Sequence, residues 1–486
     1  MAAKKNIGMN AALNVVRQGL SVLFPLITYP YALRVLGVDA IGRVNYGNSI
    51  ISYFILIAML GVTNYAVREG AKKKESRGDF EKFTTQIFSI NIISTVIAYI
   101  LFGCMLLIVG KLQSYVTLLL IQSLSIIMSA LSVEWINTVY EDFLLITIRS
   151  IATHVVSLVL LFLLVKSPSD YYVYAFLSVV TNGIICVTNL IHCRRYTKLR
   201  FTFKIDYKQH LKPILILFAN SLAISIYVNL DTTMLGWIKG DYYVGIYSAA
   251  VKVYNIAKNM MAAIYVVSIP RLSLYAEQED FYLYRSLSTK IIKALTVILL
   301  PAGIGLICLG PEIMLLLGGS EYVGASMALQ ILGGSLICAI FGGFLTAGIN
   351  ISLGREKYTL IATVVSSVIN FGLNLIFIPW LAHNGAALTT LISELFVFAF
   401  CFVILPNKGL YIDLRSVRKT IITSCIGCSL IIVITVISKA LFDNYLVNIA
   451  VVVTFSILGY YFTLRLLKDD TVISLVNSMK SKIKRK

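Results

Sequence analysis

Three basic side chains stand inside otherwise apolar stretches of this 486-residue sequence: Arg17, Lys252 and Lys258. A cation near the centre of a membrane helix costs roughly 2.5 to 3.5 kcal/mol on insertion scales, so its presence marks a functional site by default. In a low-dielectric setting such groups attract anions far more strongly than in water, and Lys and Arg are common partners of phosphate oxygens. Each cation belongs to a polar stripe. Asn10, Asn14, Arg17, Ser21 and Thr28 share one face of the first apolar run. Ser248, Lys252, Asn255 and Asn259 share one face of the eighth, with Lys258 about 120° round. Asn220, Tyr227 and Asp231 form a similar stripe in the seventh, and Asn45, Asn48, Ser49 and Ser52 in the second. Lipid cannot solvate these groups, so they are expected to face the protein interior. The carboxylates expected inside apolar runs are Asp231, Glu134 and Glu394. Asp231 either pairs structurally with Lys252 or titrates as a coupling-ion site. Glu134 anchors a loop end, and Glu394 has no partner visible in the sequence.

The elements that must hold these residues are membrane helices. The chain is 58% hydrophobic and 13% charged, with a mean hydropathy of +0.84, which excludes a soluble globule. Charge-free apolar runs mark fourteen spans: 10–33, 44–67, 83–109, 114–138, 147–165, 171–191, 213–237, 244–268, 290–310, 325–349, 359–380, 385–405, 420–438 and 446–466. The fold class is therefore all-α and polytopic. The first run is retained as a span, since no small-x-small cleavage site follows it. Pro301 and Pro311 bracket the ninth span, and Ala339, Gly343 and Ala347 suggest a small-residue helix seam in the tenth.

The net charge of +19 is not laid out as a basic face with interleaved aromatics, so nucleic acid is not an expected partner. Instead, 33 of the 42 Lys and Arg lie at the termini and in the long loops, against 6 on the opposite side. That asymmetry places both termini and the long loops in the cytoplasm, where they meet anionic headgroups. A repeat accompanies it: Leu36-Gly37-Val-Asp-Ala-Ile41-Gly42 and Lys239-Gly240-Asp-Tyr-Tyr-Val244-Gly245 both carry glycines five apart, at equivalent points of the topology. Six spans separate them, so the halves run in parallel. The expected domains are a six-helix bundle over 1–200, a second over 201–405, and two additional helices with a basic tail over 406–486.

Several stretches resemble a known family. They are Leu23-Phe-Pro-Leu-Ile-Thr-Tyr-Pro-Tyr-Ala-Leu-Arg-Val-Leu-Gly37, Ser52-Tyr-Phe through Leu60-Gly61, Asn64-Tyr-Ala-Val-Arg-Glu69, Glu134-Trp135 with Glu141, Ile148-Arg149-Ser150, Asp170-Tyr-Tyr-Val-Tyr-Ala175 and Val244-Gly-Ile-Tyr-Ser-Ala-Ala250. Their order resembles the polysaccharide repeat-unit transporters, the Wzx-type flippases of the multidrug/oligosaccharidyl-lipid/polysaccharide exporter superfamily. The resemblance implies paired six-helix bundles around a central cationic cavity in a bacterial plasma membrane. Through it a polyprenyl-diphosphate-linked oligosaccharide passes to the outer leaflet by alternating access. Arg17, Lys252 and Lys258 match by position the basic cavity residues that the resemblance implies, with Arg34, Arg43, Arg68 and Arg149 at the cavity mouths; on the same polar faces Asn14, Asn255 and Asn259 are expected to contact the sugars. Polysaccharide polymerase or ligase machinery would be a further partner, and no cofactor is implied.

A cation-coupled multidrug exporter of the same fold is the alternative, although it calls for a more acidic, aromatic cavity. A membrane polymerase or glycosyltransferase is less favoured, because it needs an aqueous catalytic module. The longest loop on the outer side, 311–323, has no carboxylate pair with a metal motif, and no glycine loop cradles phosphate. Cys425 and Cys428 spell C-x-x-C within an apolar run, without a second ligand pair or a βαβ context, and read as packing residues. Neither enzyme activity nor a metal site is expected.

Overall fold

Long apolar runs closed by side-chain caps, and broken where glycine or proline intervenes, set the helices. A computed structural model describes residues 7–471, apart from the side chains of 7–18, 20–23, 143, 145 and 220. The expectations for Asn14, Arg17 and Asn220 thus lie outside the described residues.

The first unit, Met1–Gly245, contains α1 (Ile7–Met59), α2 (Val62–Lys73), α3 (Arg77–Ile108), α4 (Val116–Leu131), α5 (Glu134–Val139), α6 (Phe143–Leu164), α7 (Tyr171–Cys193) and α8 (Tyr207–Ile238). Helix α1 holds two spans joined at Gly37, whose φ of 75° is open to glycine but costly for other residues. It packs against α3, α4, α6 and α8. The second span ends at Leu60 and Gly61, both with positive φ, and the chain turns into the short amphipathic α2. Around it Tyr65, Phe80, Phe83, Trp135 and Ile136 form a buried core. Buried His210 is held there between the Tyr65 hydroxyl at 2.7 Å and the Gln86 side-chain oxygen at 2.8 Å.

The second unit, Ile246–Lys486, takes most of α9 (Asp241–Val266), then α10 (Ile269–Glu277), α11 (Phe281–Cys308), α12 (Gly310–Gly318), α13 (Ser326–Gly343), α14 (Glu356–Ile404), α15 (Lys408–Tyr411), α16 (Leu414–Leu441) and α17 (Tyr445–Leu466). Helix α14 again holds two spans, separated at Ala382, three residues after Pro379. The last two long helices pack on each other and, through α16, on α11. Cys428 lies in that contact, and Gly427 meets the Tyr460 ring, so the C-x-x-C stretch is packing material. Asp206, Asp280, Asp413 and Asn444 cap α8, α11, α16 and α17 by accepting backbone N–H groups, each worth about 0.5 to 2 kcal/mol.

Eleven helical stretches among the described residues are long and apolar enough to cross a membrane. The stretch Phe24–Lys73 belongs to α1 and α2, and α1 holds two spans, as Glu356–Ile404 does; α9 with its asparagines and lysines completes fourteen. The expected all-α, multi-pass architecture is the observed one. Large apolar side chains such as Leu107, Val403 and Trp380 are more than 70% exposed, as lipid-facing residues must be. The repeat is visible in the backbone too: Gly37 and Gly240 both have positive φ. The 3-10 turns Gly110–Tyr115 and Ser320–Ala325 lead into α4 and α13 in the same way.

One expectation needs correction. The stretch 311–323 is no open loop but α12 followed by a 3-10 turn, begun by Pro311 near the helix start, where its missing N–H costs nothing. Gly303 and Gly333 bring the ninth and tenth spans close together: a β-carbon at either would stand 3.0 Å from the other's carbonyl oxygen. The Ala339-Gly343-Ala347 stripe leads into a π-helical segment at Phe344, with Ala339 buried and a β-carbon on Gly343 placed 2.7 Å from the Tyr265 hydroxyl of α9.

Candidate functional site: buried charge on α9 and its neighbours

Helix α9 presents Lys252 and Lys258 half-buried and Asn255 and Asn259 exposed. Lys258 is an ion-pair member: its Nζ donates to Glu394 Oε1 at 2.6 Å, and the Tyr254 hydroxyl donates to the same oxygen at 3.3 Å. The Lys258 ammonium also lies 5.4 Å from the centre of the Tyr254 ring. Glu394 is nearly buried on the second half of α14, 136 residues away in sequence, which is why no partner was visible from local spacing. Deeper in the same unit, Thr389 donates to Asn374 at 2.6 Å and Asn374 to Asn370 at 3.1 Å, an uncharged chain of hydrogen bonds.

Removing one member of a buried pair costs about 3 to 5 kcal/mol, because the other charge is stranded, whereas removing both often costs little. Lys258→Met is therefore expected to lower the thermal unfolding temperature of the purified protein, and Lys258→Met with Glu394→Gln to recover most of the loss. Equal destabilisation by the single and double variants would contradict this reading.

In the first unit, Thr233 Oγ1 lies 3.0 Å from Ser49 Oγ and 3.2 Å from the Tyr53 hydroxyl, joining the polar faces of the second and seventh spans. Asp231 is on α8 two residues away and 6% exposed. Arg149, expected at a cavity mouth, is buried. Its Nη2 donates to Glu134 Oε2 at 2.9 Å and its Nη1 to Asn189, which also accepts from Asn137 at 2.7 Å. Sequence spacing gave no sign of Asn189, which comes from α7. Arg34 is exposed, and Arg68 is an exposed side chain bonded to Glu69 at 3.1 Å.

Arg43, the last of the four arginines expected at the mouths, joins a polar cluster at the repeat motifs. Its Nε donates to Asp241 Oδ2 at 3.1 Å, while the Tyr115 hydroxyl donates to Asp241 Oδ1 at 2.6 Å. Lys111 donates to the Trp237 carbonyl close by. The repeat glycines meet at this point. A β-carbon on Gly42 would overlap the Asp241 carbonyl, and one on Gly245 would overlap the Val38 carbonyl. The two motifs found as a repeat are thus in reciprocal backbone contact, each using its first glycine for a positive φ and its second for close approach. The sequence reading also omitted Glu312, buried at the start of α12 and paired with Lys439 of α16 at 2.8 Å. No group of metal-ligating side chains occurs among the described residues.

The chain as a whole is similar to known proteins. A protein of Shigella dysenteriae named as an O-antigen transporter is 24% identical over 406 residues, covering 82% of this chain and 98% of that one. The fold matches the lipid II flippase MurJ in an inward closed conformation, with a TM-score of 0.75 at 16% identity, over 94% of this chain and 99% of that one. It matches an inward-facing multidrug transporter of the MATE family with a TM-score of 0.57 at 16% identity, over 84% and 99% of the two chains. The model of the polysaccharide biosynthesis protein family matches residues 7–276, so this chain belongs to that family.

Proposed function

We propose that this protein flips polyprenyl-diphosphate-linked oligosaccharide repeat units from the cytoplasmic to the outer leaflet of a bacterial plasma membrane, for surface polysaccharide synthesis. The observation that carries the reading is the match of family and length: a relative named for O-antigen transport aligns over 98% of its own chain. The 33 to 6 distribution of Lys and Arg supports cytoplasmic termini. The functional halves are the bundles over 1–200 and 201–405, with 406–486 an addition to the second.

In this reading Arg17 and Lys252 hold the diphosphate, whose charge of about minus two needs only two or three cations in a low-dielectric site. Lys258 contributes less, because Glu394 already neutralises it. Asn14, Asn255 and Asn259 offer amide donors and acceptors to sugar hydroxyls. Arg34, Arg43 and Arg68 serve the approaches, Arg43 through its exchange with Asp241, whereas the buried Arg149 supports its helices. Asp231 balances the lysines of α9 or takes up a coupling cation. The protein carries its substrate without a chemical step, and the polymerase or ligase that uses the glycan works beside it.

Deletion of the gene tests the assignment. The expected result is loss of surface polysaccharide and accumulation of the lipid-linked repeat unit on the cytoplasmic face. Normal surface polysaccharide together with accumulation of a cationic dye would instead support multidrug export.

A further inference from the structure

At the N-terminal ends of α11 and α16, the second unit forms an open cleft of about 530 Å³ that carries several charged side chains, within the usual range of ligand pockets. Arg285, Lys290 and Lys293 line it from α11, Ser416 from α16, and Asp413 and Asp470 from the adjoining segments. Lys293 is only 12% exposed, and its Nζ donates to Ser416 Oγ at 3.1 Å. The cavity wall is fixed: Asp413 N–H donates to Thr289 at 2.8 Å. Asp469 is clamped by Thr423 at 3.0 Å and by the Thr471 N–H at 2.9 Å. Burial pushes the Asp469 carboxyl up, but these hydrogen bonds outweigh it and hold the group below the usual carboxylate range.

The charges here are not satisfied by one another. Arg285 stands 3.7 Å from Asp413, Lys293 3.9 Å from Asp470, and Lys419 3.7 Å from Asp470. Charge-assisted hydrogen bonds are about 2.7 to 2.9 Å long, so these pairs leave donors unspent. Asp413 Oδ1 is further occupied by the backbone N–H groups of Arg415 and Ser416. Lys290 has no carboxylate partner among the described residues. Three cations thus face two carboxylates in this cleft at the ends of membrane helices, with Lys419 beside Asp470. Tyr282 lies 82% exposed at the rim, a position suited to the headgroup layer.

We infer that this pocket binds a phosphate group, supplied by the headgroup of an anionic phospholipid in the leaflet that faces the basic loops. The site lies within the second unit and does not depend on which glycan is carried. Basic pockets between membrane helices are a recognised form of headgroup site, with each Lys or Arg near the surface contributing to attraction.

The test is native mass spectrometry of the purified full chain in detergent micelles containing phosphatidylglycerol or phosphatidylcholine. The wild-type protein is expected to retain phosphatidylglycerol in preference, and Arg285→Gln with Lys290→Gln to lower that preference about tenfold. Both side chains are exposed, so this variant keeps the fold, which a single monodisperse peak on size exclusion verifies. Arg285→Lys with Lys290→Arg should retain the preference. Inorganic phosphate in molar excess separates the two sources. Lipid retained in its presence supports the headgroup, whereas displacement of the lipid, with loss in the Gln variant alone, supports a site for free phosphate. No preference in the wild type, or the same preference in the Gln variant, overturns the inference.

Discussion

Gly42→Ala and Gly245→Ala each lower the unfolding temperature of the purified protein, and the double variant loses less than the sum of the two. At both positions the added methyl collides with a backbone carbonyl, of Asp241 and of Val38 respectively. No rotamer change can relieve such a clash, so the segments 38–42 and 241–245 must separate. Overpacking of this kind costs typically 1 to 3 kcal/mol and occasionally more. The two glycines lie in one contact, so a separation forced by the first methyl makes room for the second, and the effects are not additive. The separation also lengthens the Arg43 to Asp241 and Tyr115 to Asp241 bonds, now 3.1 and 2.6 Å. Gly103→Ala is the control. Nothing stands within 4 Å of a β-carbon there, and its unfolding temperature should be unchanged or slightly raised, because Ala is the better helix former. Scanning calorimetry or a tryptophan-fluorescence melt reads all four variants. Strict additivity, or a loss at Gly103 equal to that at Gly42, would remove the reciprocal contact from the account.

Lys252→Ala is expected to have the largest functional effect. A lysine on a helix face shared with Asn255 and Asn259 is kept at a cost that packing alone does not explain. Loss of a desolvated cation that pairs with phosphate weakens binding by 2 kcal/mol or more, so the rate at limiting substrate should fall at least about thirtyfold. Arg17→Ala should behave alike, and the two together should reach the protein-free background. Lys258→Met with Glu394→Gln should be milder, since it deletes a neutral pair. Membrane insertion, read by yield and size exclusion, stays at the wild-type level in every case. A Lys252→Ala protein that translocates at the wild-type rate would show that this lysine does not hold the anion.

Much of this architecture is legible in the sequence. Period and hydropathy located the spans, because a bilayer imposes a length on every crossing and excludes charge from it. The repeat was found from two glycine pairs, and those glycines proved to be where the backbone turns and where it crosses. The pairings were less legible. Glu394 and Lys258 are separated by 136 residues, and no periodicity connects them. Arg149 is expected at a cavity mouth from its position at the end of an apolar run, but its partners Glu134 and Asn189 come from other helices and bury it. Glu312 escaped notice because proline and glycine around it suggested a loop, while the chain forms a helix whose buried face places the carboxylate on Lys439. Sequence patterns report which face of a helix is polar; they do not report which helix lies opposite.

The most direct measurement is transfer of a fluorescent polyprenyl-diphosphate-linked oligosaccharide across the bilayer of sealed vesicles containing the wild-type protein alone. The account predicts that label in the inner leaflet becomes accessible to an external quencher at a rate well above that of protein-free vesicles, and that the Lys252→Ala protein removes most of the difference. Transfer no faster than in protein-free vesicles, while the same vesicles move a cationic dye, would contradict it.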